Sequence, residues 1–481
     1  MPAITGKEYV SRINQQKANI WCNGSKITGN ISEHPAFKGI IQSQSNLYDM
    51  QNDNDLKDLM TFPSPTTGNS VGTSYLQPKT KEDLAKRRNM IQQWARTSAG
   101  LLGRSPDYLN TILMAFGSSA KLLEGKENCF PEHMRAFYEK AREEDLSFTH
   151  TFINPQVNRS ELYLELSDEP IAAKIVDENE EGIVVKGARL LATQGGITDE
   201  VLVFSPGGIL DKANAFAFSI PSNAKGLKFI CRESFVHGES HFNYPLSSRF
   251  EEMDTVVVFD NVTVPWERVF FYKNLEVANS FKATSAFLPF TLHQVVCRQT
   301  VKAEFMLGVA QSIIDTINIS EFQNVQENGA EIITTLETMK ALLTKAEVDA
   351  TTDEFGLMHP DPKPLQTAIC VFPQVYPRLA EIIQLLGSSG MITIPTETDF
   401  YSEIRSDLDQ YLQSASGNAV DRVKLFRLAW DLTMSPFGTR QTQYERFFFG
   451  NPIRLSSQLY FDYEKDSYVD WVHDFIKKPE E

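Results

Sequence analysis

The sequence predicts a multi-domain α+β chain in the order helical domain, β domain, helical bundle. Three observations predict it. Apolar residues recur at helical spacing in the first third, alternate with polar ones from about 160 to 262, and return to helical spacing after Pro265. At roughly 150 residues per domain, 481 residues hold about three. We place the divisions at 1–146, 147–274 and 275–481.

Residues 30–79, rich in Asn, Ser, Thr and Gly, read as an irregular surface excursion. Thr80 caps the helix that follows, with Asp83 three residues on. Leu84, Ile91, Trp94 and Ala95 keep one apolar face on it. Pro106 then opens a helix running to about Leu123, because a first-turn residue needs no N–H partner.

In the middle segment Leu162, Leu164 and Leu166 alternate with their neighbours. Short β-rich runs follow: IAAKIVD from 171, IVVKGARLLA from 183, VLVFS from 201, AFAFSIP from 215, LKFIC from 227 and TVVVFDNVTV from 255. Gly, Pro or acidic turns separate them, as in a barrel or sandwich and unlike a doubly wound sheet. Beyond Trp266, three apolar stripes read as bundle helices that also bury a subunit interface. They are Phe305, Val309, Ile313 and Ile317; Leu336, Met339, Leu343 and Ala346; and Leu379, Ile382, Ile383 and Leu386, closed by Gly387.

Composition excludes several functions. The balance of 46 Lys+Arg against 62 Asp+Glu gives −16, the wrong sign for nucleic acid or anionic lipid. Five scattered cysteines with no CxxC argue against a disulfide framework or zinc ribbon and for a reducing compartment. The N-terminus lacks a signal-peptide core, and no run of about 18 apolar residues occurs. A cytoplasmic protein outside the membrane is expected.

Three constellations could carry chemistry. HTFINPQVNRS from 150 combines an imidazole, amides and Arg159 in what reads as a loop at a domain junction. It is either a capped loop with a surface His and Arg, or a site in which His150 is acid/base and Gln156 to Arg159 contact a polar cofactor. GRSPDYLN from 103 puts Arg104 at a helix lip and Tyr108 on the first turn, suited to an anionic or phenolic oxygen. Its plainer reading is an Arg–Asp surface pair with Tyr108 in the core. In HGESH from 237, Gly238 and Tyr244-Pro245 favour a loop over a zinc helix. His293 and Cys297 read as packing, and no metal is expected. No GxGxxG or Walker loop is present.

Together, GKEYVSRI from 6, GRSPDYLN from 103, HTFINPQVNR from 150, LATQGG from 191, SSRFEEMDTVVVFDNVTVPWERVF from 247 and RQTQYERFFFGNP from 440 carry a resemblance along the whole chain. The chain resembles the oxygenase components of two-component, reduced-flavin-dependent phenol hydroxylases, and the 4-hydroxyphenylacetate 3-hydroxylase family in particular. The resemblance implies an acyl-CoA dehydrogenase-like fold: N-terminal helical domain, middle β-barrel and C-terminal four-helix bundle. It implies a homotetramer, a dimer of dimers, with FAD between barrel and helices. It also implies a separate NAD(P)H–flavin reductase that supplies the FAD reduced.

By position, Arg104, Tyr108 and His150 match the residues around the phenol ring and flavin. Gln156, Val157, Asn158 and Arg159 match a flavin-contacting loop, Thr193 a flavin contact in the barrel, and Phe448, Phe449, Gly450 and Asn451 a C-terminal cofactor segment. Ser205 falls where hydroxyls meet the substrate carboxylate, but Pro206 follows it where a second hydroxyl is expected. The implied reaction is ortho-hydroxylation of a phenol, 4-hydroxyphenylacetate first among candidates, by reduced FAD and dioxygen through a flavin hydroperoxide. His150 would act as base on the ring oxygen, with Arg104 and Tyr108 stabilising charge on oxygen. Chlorophenols, nitrophenols and coumarate are alternative substrates. A 4-hydroxybutyryl-CoA dehydratase-like flavoprotein is disfavoured, because the stretch at Ala99, Gly100 and Gly103 offers no cysteine pair for an iron–sulfur cluster. A flavin-binding homologue without activity would lack reason to keep Arg104, Tyr108 and His150.

Overall fold

Local capping sets the helices of the first segment. Thr80 and Asp83 form a reciprocal capping box, with Asp83 N–H donating to Thr80 Oγ1 at 3.1 Å. The helix Lys81–Thr97 buries Leu84, Ile91, Trp94 and Ala95. Pro106 starts the Pro106–Ser118 helix, and a 3-10 turn, Ala120–Leu123, continues it. This computed structural model describes residues 3–157 and 170–477. Asn158, Arg159 and the alternating Leu162, Leu164 and Leu166 lie outside the described residues.

The excursion expected at 30–79 is instead structured. Helix Lys38–Met50 buries Ile40, Ile41, Leu47 and Tyr48, an i, i+1, i+7, i+8 face that the surrounding Ser and Gln residues obscure. Its Gln44 is also buried and donates to Arg104 O at 2.9 Å, so a polar residue here serves the interior. Thr61–Pro63 and Ser70–Gly72 form a two-stranded ribbon behind it.

The β-rich runs form two sheets. The six-stranded sheet runs Ser25–Lys26, Ile20–Cys22, Leu227–Cys231, Asp254–Pro265, Gly182–Thr193, Lys174–Glu178. The four-stranded sheet runs Val269–Tyr272, Phe216–Pro221, Glu200–Val203, Phe148–Thr151. No ladder joins them among the described residues. They meet through side chains, for example Phe218 edge-on to Phe259 at 6.3 Å between centroids. The sequence left barrel and sandwich open, and the ladders give two sheets. The hairpin at 20–26 crosses from the first segment to pair in parallel with Leu227–Cys231.

Strand Phe148–Thr151 corrects the loop reading of His150. It pairs in parallel with Glu200–Val203, putting His150 opposite Leu202. All four of its residues are buried, so it lacks the polar alternation by which a strand is recognised.

In the last segment, Phe287–Ile317, Gln323–Val348, Pro362–Gly387 and Ala419–Thr433 pack as a four-helix bundle. Leu336, Met339, Leu343 and Ala346 face its core, and the third helix ends at Gly387 as its stripe implied. Helix Pro436–Phe447 leans on the bundle and leads to Pro452–Asp462 and Asp466–Lys477. No helix among the described residues is long and apolar enough to cross a membrane.

Candidate functional site

A cavity of about 680 Å³ opens where the sheets, the Pro106–Ser118 helix and the last helices converge. Small-molecule sites commonly span about 300–1,000 Å³ at such junctions. Arg104, Tyr108, His150, Gln156, Thr193 and the run from Phe448 to Asn451 all line it. Residues more than 300 positions apart therefore meet in one place, which no local pattern could show.

Arg104 is fixed through its backbone. Glu252, fully buried, accepts from Gly103 N–H at 2.9 Å and Arg104 N–H at 2.7 Å. Gln194 Nε2 donates to the same carboxylate at 3.0 Å and to Arg104 O at 3.1 Å. The Arg104 guanidinium is then free to face the cavity. It donates to Tyr444 Oη at 2.7 Å and lies 4.7 and 4.8 Å from the Tyr108 and Phe448 ring centroids. Cation–π contacts of this kind contribute about 0.5–2 kcal/mol each. Gly103 is required here, since a Cβ would collide with the Tyr444 hydroxyl.

His150 is buried, and its Nδ1 finds no hydrogen-bond partner among the described residues. Phe152 and Phe204 stack against its ring at 5.4 and 5.7 Å, and Tyr108 lies tilted at 5.8 Å. Burial, then the charges of Arg104 and Lys282, hold its pKa well below the ordinary 6.5. The imidazole is therefore neutral at neutral pH and free to accept a proton. Burial raises the Tyr108 pKa against the opposing pull of Arg104 and Arg298, so Tyr108 keeps its proton and has one to donate to a ligand.

Thr193 ends its strand with its hydroxyl donating to Asp254 Oδ1 at 2.8 Å. Arg440 grips Asp254 with two 2.8 Å bonds, and Arg232 adds a third at 3.0 Å. Burial pushes the Asp254 carboxyl up, but the two guanidinium groups outweigh it and hold it ionised. Arg440 Nη1 is left buried without a hydrogen bond, 3.6 Å from Glu252 Oε2. Beneath Tyr444, Glu445 accepts from Arg298 at 2.7 Å and Lys302 at 2.8 Å, with all three side chains buried. This cluster ties helix Pro436–Phe447 to helix Phe287–Ile317 and sets the height of Tyr444 and Phe448.

Not every expected residue reaches the cavity. Ser205 is buried, but its hydroxyl accepts from Phe216 N–H at 3.2 Å and donates to Phe216 O at 3.1 Å. It is turned into the neighbouring strand, and Pro206 takes the wall. Val157 is exposed and does not line the cavity. Asn158 and Arg159 are outside the described residues. At the far end Asn451 accepts from Ile453 N–H at 2.9 Å, capping the next helix. His241 lies in a loop, where its Nδ1 accepts from Arg249 Nε at 2.8 Å. Buried His293 meets Glu347 at 2.8 Å. Lys282, Phe152, Phe204, Phe287, Asp254, Arg440 and Tyr444 line the cavity and were missed in the sequence. Of these, Phe152, Asp254, Arg440 and Tyr444 lay inside the segments that carried the resemblance.

Two family models cover nearly the whole chain: 4-hydroxyphenylacetate 3-hydroxylase N terminal at 5–271 and 4-hydroxyphenylacetate 3-hydroxylase C terminal at 278–477. The chain belongs to the 4-hydroxyphenylacetate 3-hydroxylase family. Within that family it is 60% identical over 477 residues to the probable 4-hydroxyphenylacetate 3-monooxygenase of Bacillus subtilis strain 168, covering 99% of each chain. It superposes with a TM-score of 0.94, at 42% identity and 98% coverage of both chains, on the oxygenase component of a 4-hydroxyphenylacetate 3-monooxygenase. That crystal structure is a complex with FAD and 4-hydroxyphenylacetate. An archaeal 4-hydroxybutyryl-CoA dehydratase from N. maritimus shares the fold, with a TM-score of 0.87 at 18% identity over 99% of this chain and 96% of its own. The fold is thus that of the 4-hydroxyphenylacetate 3-hydroxylase family, and the dehydratase has it in common.

Proposed function

We propose that this chain is the oxygenase component of a 4-hydroxyphenylacetate 3-monooxygenase, converting 4-hydroxyphenylacetate to 3,4-dihydroxyphenylacetate with reduced FAD and dioxygen. The observation that carries the reading is the meeting of Arg104, Tyr108 and a neutral, unpartnered His150 in one buried, aromatic-walled cavity. Family membership and the FAD- and substrate-bound relative support it.

The cavity fits FAD. Its apolar walls (Phe152, Phe448, Phe449) suit a planar ring system, and the Arg454 side chain suits anionic oxygens. Gln156, Thr193, Phe448, Phe449, Gly450 and Asn451 would hold it, with Asn158 and Arg159 proposed alongside from the sequence. When bound and reduced, FAD supplies the activated oxygen.

The chain's own residues prepare the phenol. His150 accepts the phenolic proton, which raises electron density at the ortho carbon. Arg104 and the Tyr108 hydroxyl hold the resulting phenolate oxygen with charge-assisted hydrogen bonds. Phe152, Phe204, Phe287 and Phe448 exclude water, which protects the reactive oxygen from wasteful release.

FAD reduction falls to a separate NAD(P)H–flavin reductase, a reading supported by the relatives described as oxygenase components. The assembly is a homotetramer built as a dimer of dimers. Its support is helix Asp466–Lys477, which exposes Trp471, Val472, Phe475 and Ile476 on an otherwise unburied segment. The test of the function is reconstitution with any NADH–flavin reductase. 3,4-Dihydroxyphenylacetate should accumulate from 4-hydroxyphenylacetate, and an enzyme that yields no catechol from it would overturn the assignment.

A further inference from the structure

A 4-hydroxyphenylacetate molecule carries its hydroxyl and its carboxylate at opposite ends of one ring. A site that reads both ends needs a proton acceptor at one and a positive or hydrogen-bonding group at the other. The phenol end is provided by Arg104, Tyr108 and His150. The position expected to meet the carboxylate is not equipped for it, because the Ser205 hydroxyl is bonded to Phe216 and Pro206 has neither hydroxyl nor N–H.

Among the cavity's cations, Arg440 is neutralised by Asp254 and Arg104 is engaged by Tyr444 at the phenol end. Arg454 is exposed to solvent. Lys282 remains. It sits in the last turn of helix Leu275–Thr284, and no carboxylate among the described residues lies within ion-pair reach of its Nζ. Its ammonium is held instead against aromatic faces, 5.4 Å from the Phe152 centroid and 5.9 Å from that of Phe287. Phe152 is the ring that stacks on His150, so the cation and the imidazole share one aromatic neighbour in the same cavity. Burial, with the nearby Arg454 charge, depresses the Lys282 pKa, which marks an ammonium short of a counter-ion.

We infer that Lys282 is the carboxylate-recognising residue of this enzyme, pairing with the acetate of 4-hydroxyphenylacetate in place of the serine hydroxyl and selecting acidic phenols over neutral ones. The inference rests on the substrate proposed above. A partly buried ammonium–carboxylate pair that excludes water favours the acidic ligand, whereas a phenol with a methyl group at that end gains nothing from it.

The test compares FAD-loaded wild type, Lys282→Met and Lys282→Arg. Dissociation constants are measured for 4-hydroxyphenylacetate, 4-methylphenol and FAD. Lys282→Met should weaken 4-hydroxyphenylacetate binding about ten- to hundredfold, the range for a lost hydrogen bond to a charged group. It should leave 4-methylphenol within about threefold, and Lys282→Arg should recover most of the loss. An equal effect on both phenols, or none on either, would overturn the inference. Weakened FAD binding with unchanged phenol selectivity would overturn it as well, by assigning Lys282 to the cofactor. Failure of the underlying substrate assignment is read separately, as a wild type that neither binds nor hydroxylates 4-hydroxyphenylacetate.

Discussion

Glu252 is the residue on which the placement of Arg104 depends most. Its Oε1 accepts from Arg104 N–H and Gln194 Nε2, and its Oε2 from Gly103 N–H. Glu252→Gln keeps the volume but has one acceptor oxygen. With that oxygen in the Oε1 position, the new amide group faces the Gly103 N–H and leaves it unsatisfied. A stranded buried donor costs about 1–3 kcal/mol, and each remaining bond loses about 1 kcal/mol when its acceptor becomes neutral. The loop at 103–104 should therefore lose at least about 3 kcal/mol of local stability, which is on the order of a hundredfold or more in opening equilibrium. Amide hydrogen exchange reads this directly: Gly103 and Arg104 should exchange about a hundred times faster, while helix Gln323–Val348 is unchanged. The dissociation constant for 4-hydroxyphenylacetate should rise with it, because Arg104 no longer has a fixed origin. Exchange at Gly103 and Arg104 within about threefold of wild type would refute the reasoning.

Other perturbations have expected outcomes. His150→Ala should retain reduced-FAD binding but divert oxygen to hydrogen peroxide, and a normal catechol yield per oxygen consumed would remove His150 from the mechanism. Because burial and neighbouring cations depress the His150 pKa, its acid limb for hydroxylation should lie below pH 6.5. The same depression makes the unfolded chain the better proton binder as pH falls below 6.5, so this residue's contribution to stability declines toward acid. A pH titration of His150 by NMR with a midpoint at or above 6.5 would contradict both. Glu445→Ala strands Arg298 and Lys302 and should destabilise the bundle by about 3–5 kcal/mol, seen as a lowered thermal midpoint. Removing residues 452–477 should shift the assembly to a smaller species in sedimentation, and an unchanged mass would place the interface elsewhere.

Much of this was legible in sequence because it is local. The Thr80 capping box, the Pro106 helix start and the stripe ending at Gly387 each depend on residues within a turn or two of one another. The β runs from 171 to 264 were legible as short β-rich stretches set between Gly, Pro or acidic turns. Strand Phe148–Thr151 was not, since Thr149, His150 and Thr151 are polar residues that the fold nevertheless buries. Helix Lys38–Met50 was hidden for a related reason: its buried Gln44 and Ser45 look like surface residues until Arg104 O and the packing around Gly6 are in place. At the site, Arg104, Tyr108 and His150 came from short segments with recognisable chemistry. Tyr444, Glu252 and Lys282 act across long sequence separations, and Ser205 has the right residue type with its hydroxyl committed elsewhere. Such partnerships exist only in the folded chain.

A single turnover tests the central claim most directly. Purified protein is mixed with one equivalent of chemically reduced FAD, dioxygen and 4-hydroxyphenylacetate, without NADH and without a reductase. Close to one equivalent of 3,4-dihydroxyphenylacetate should form, with little hydrogen peroxide. Oxidised FAD and hydrogen peroxide with no catechol would contradict the account.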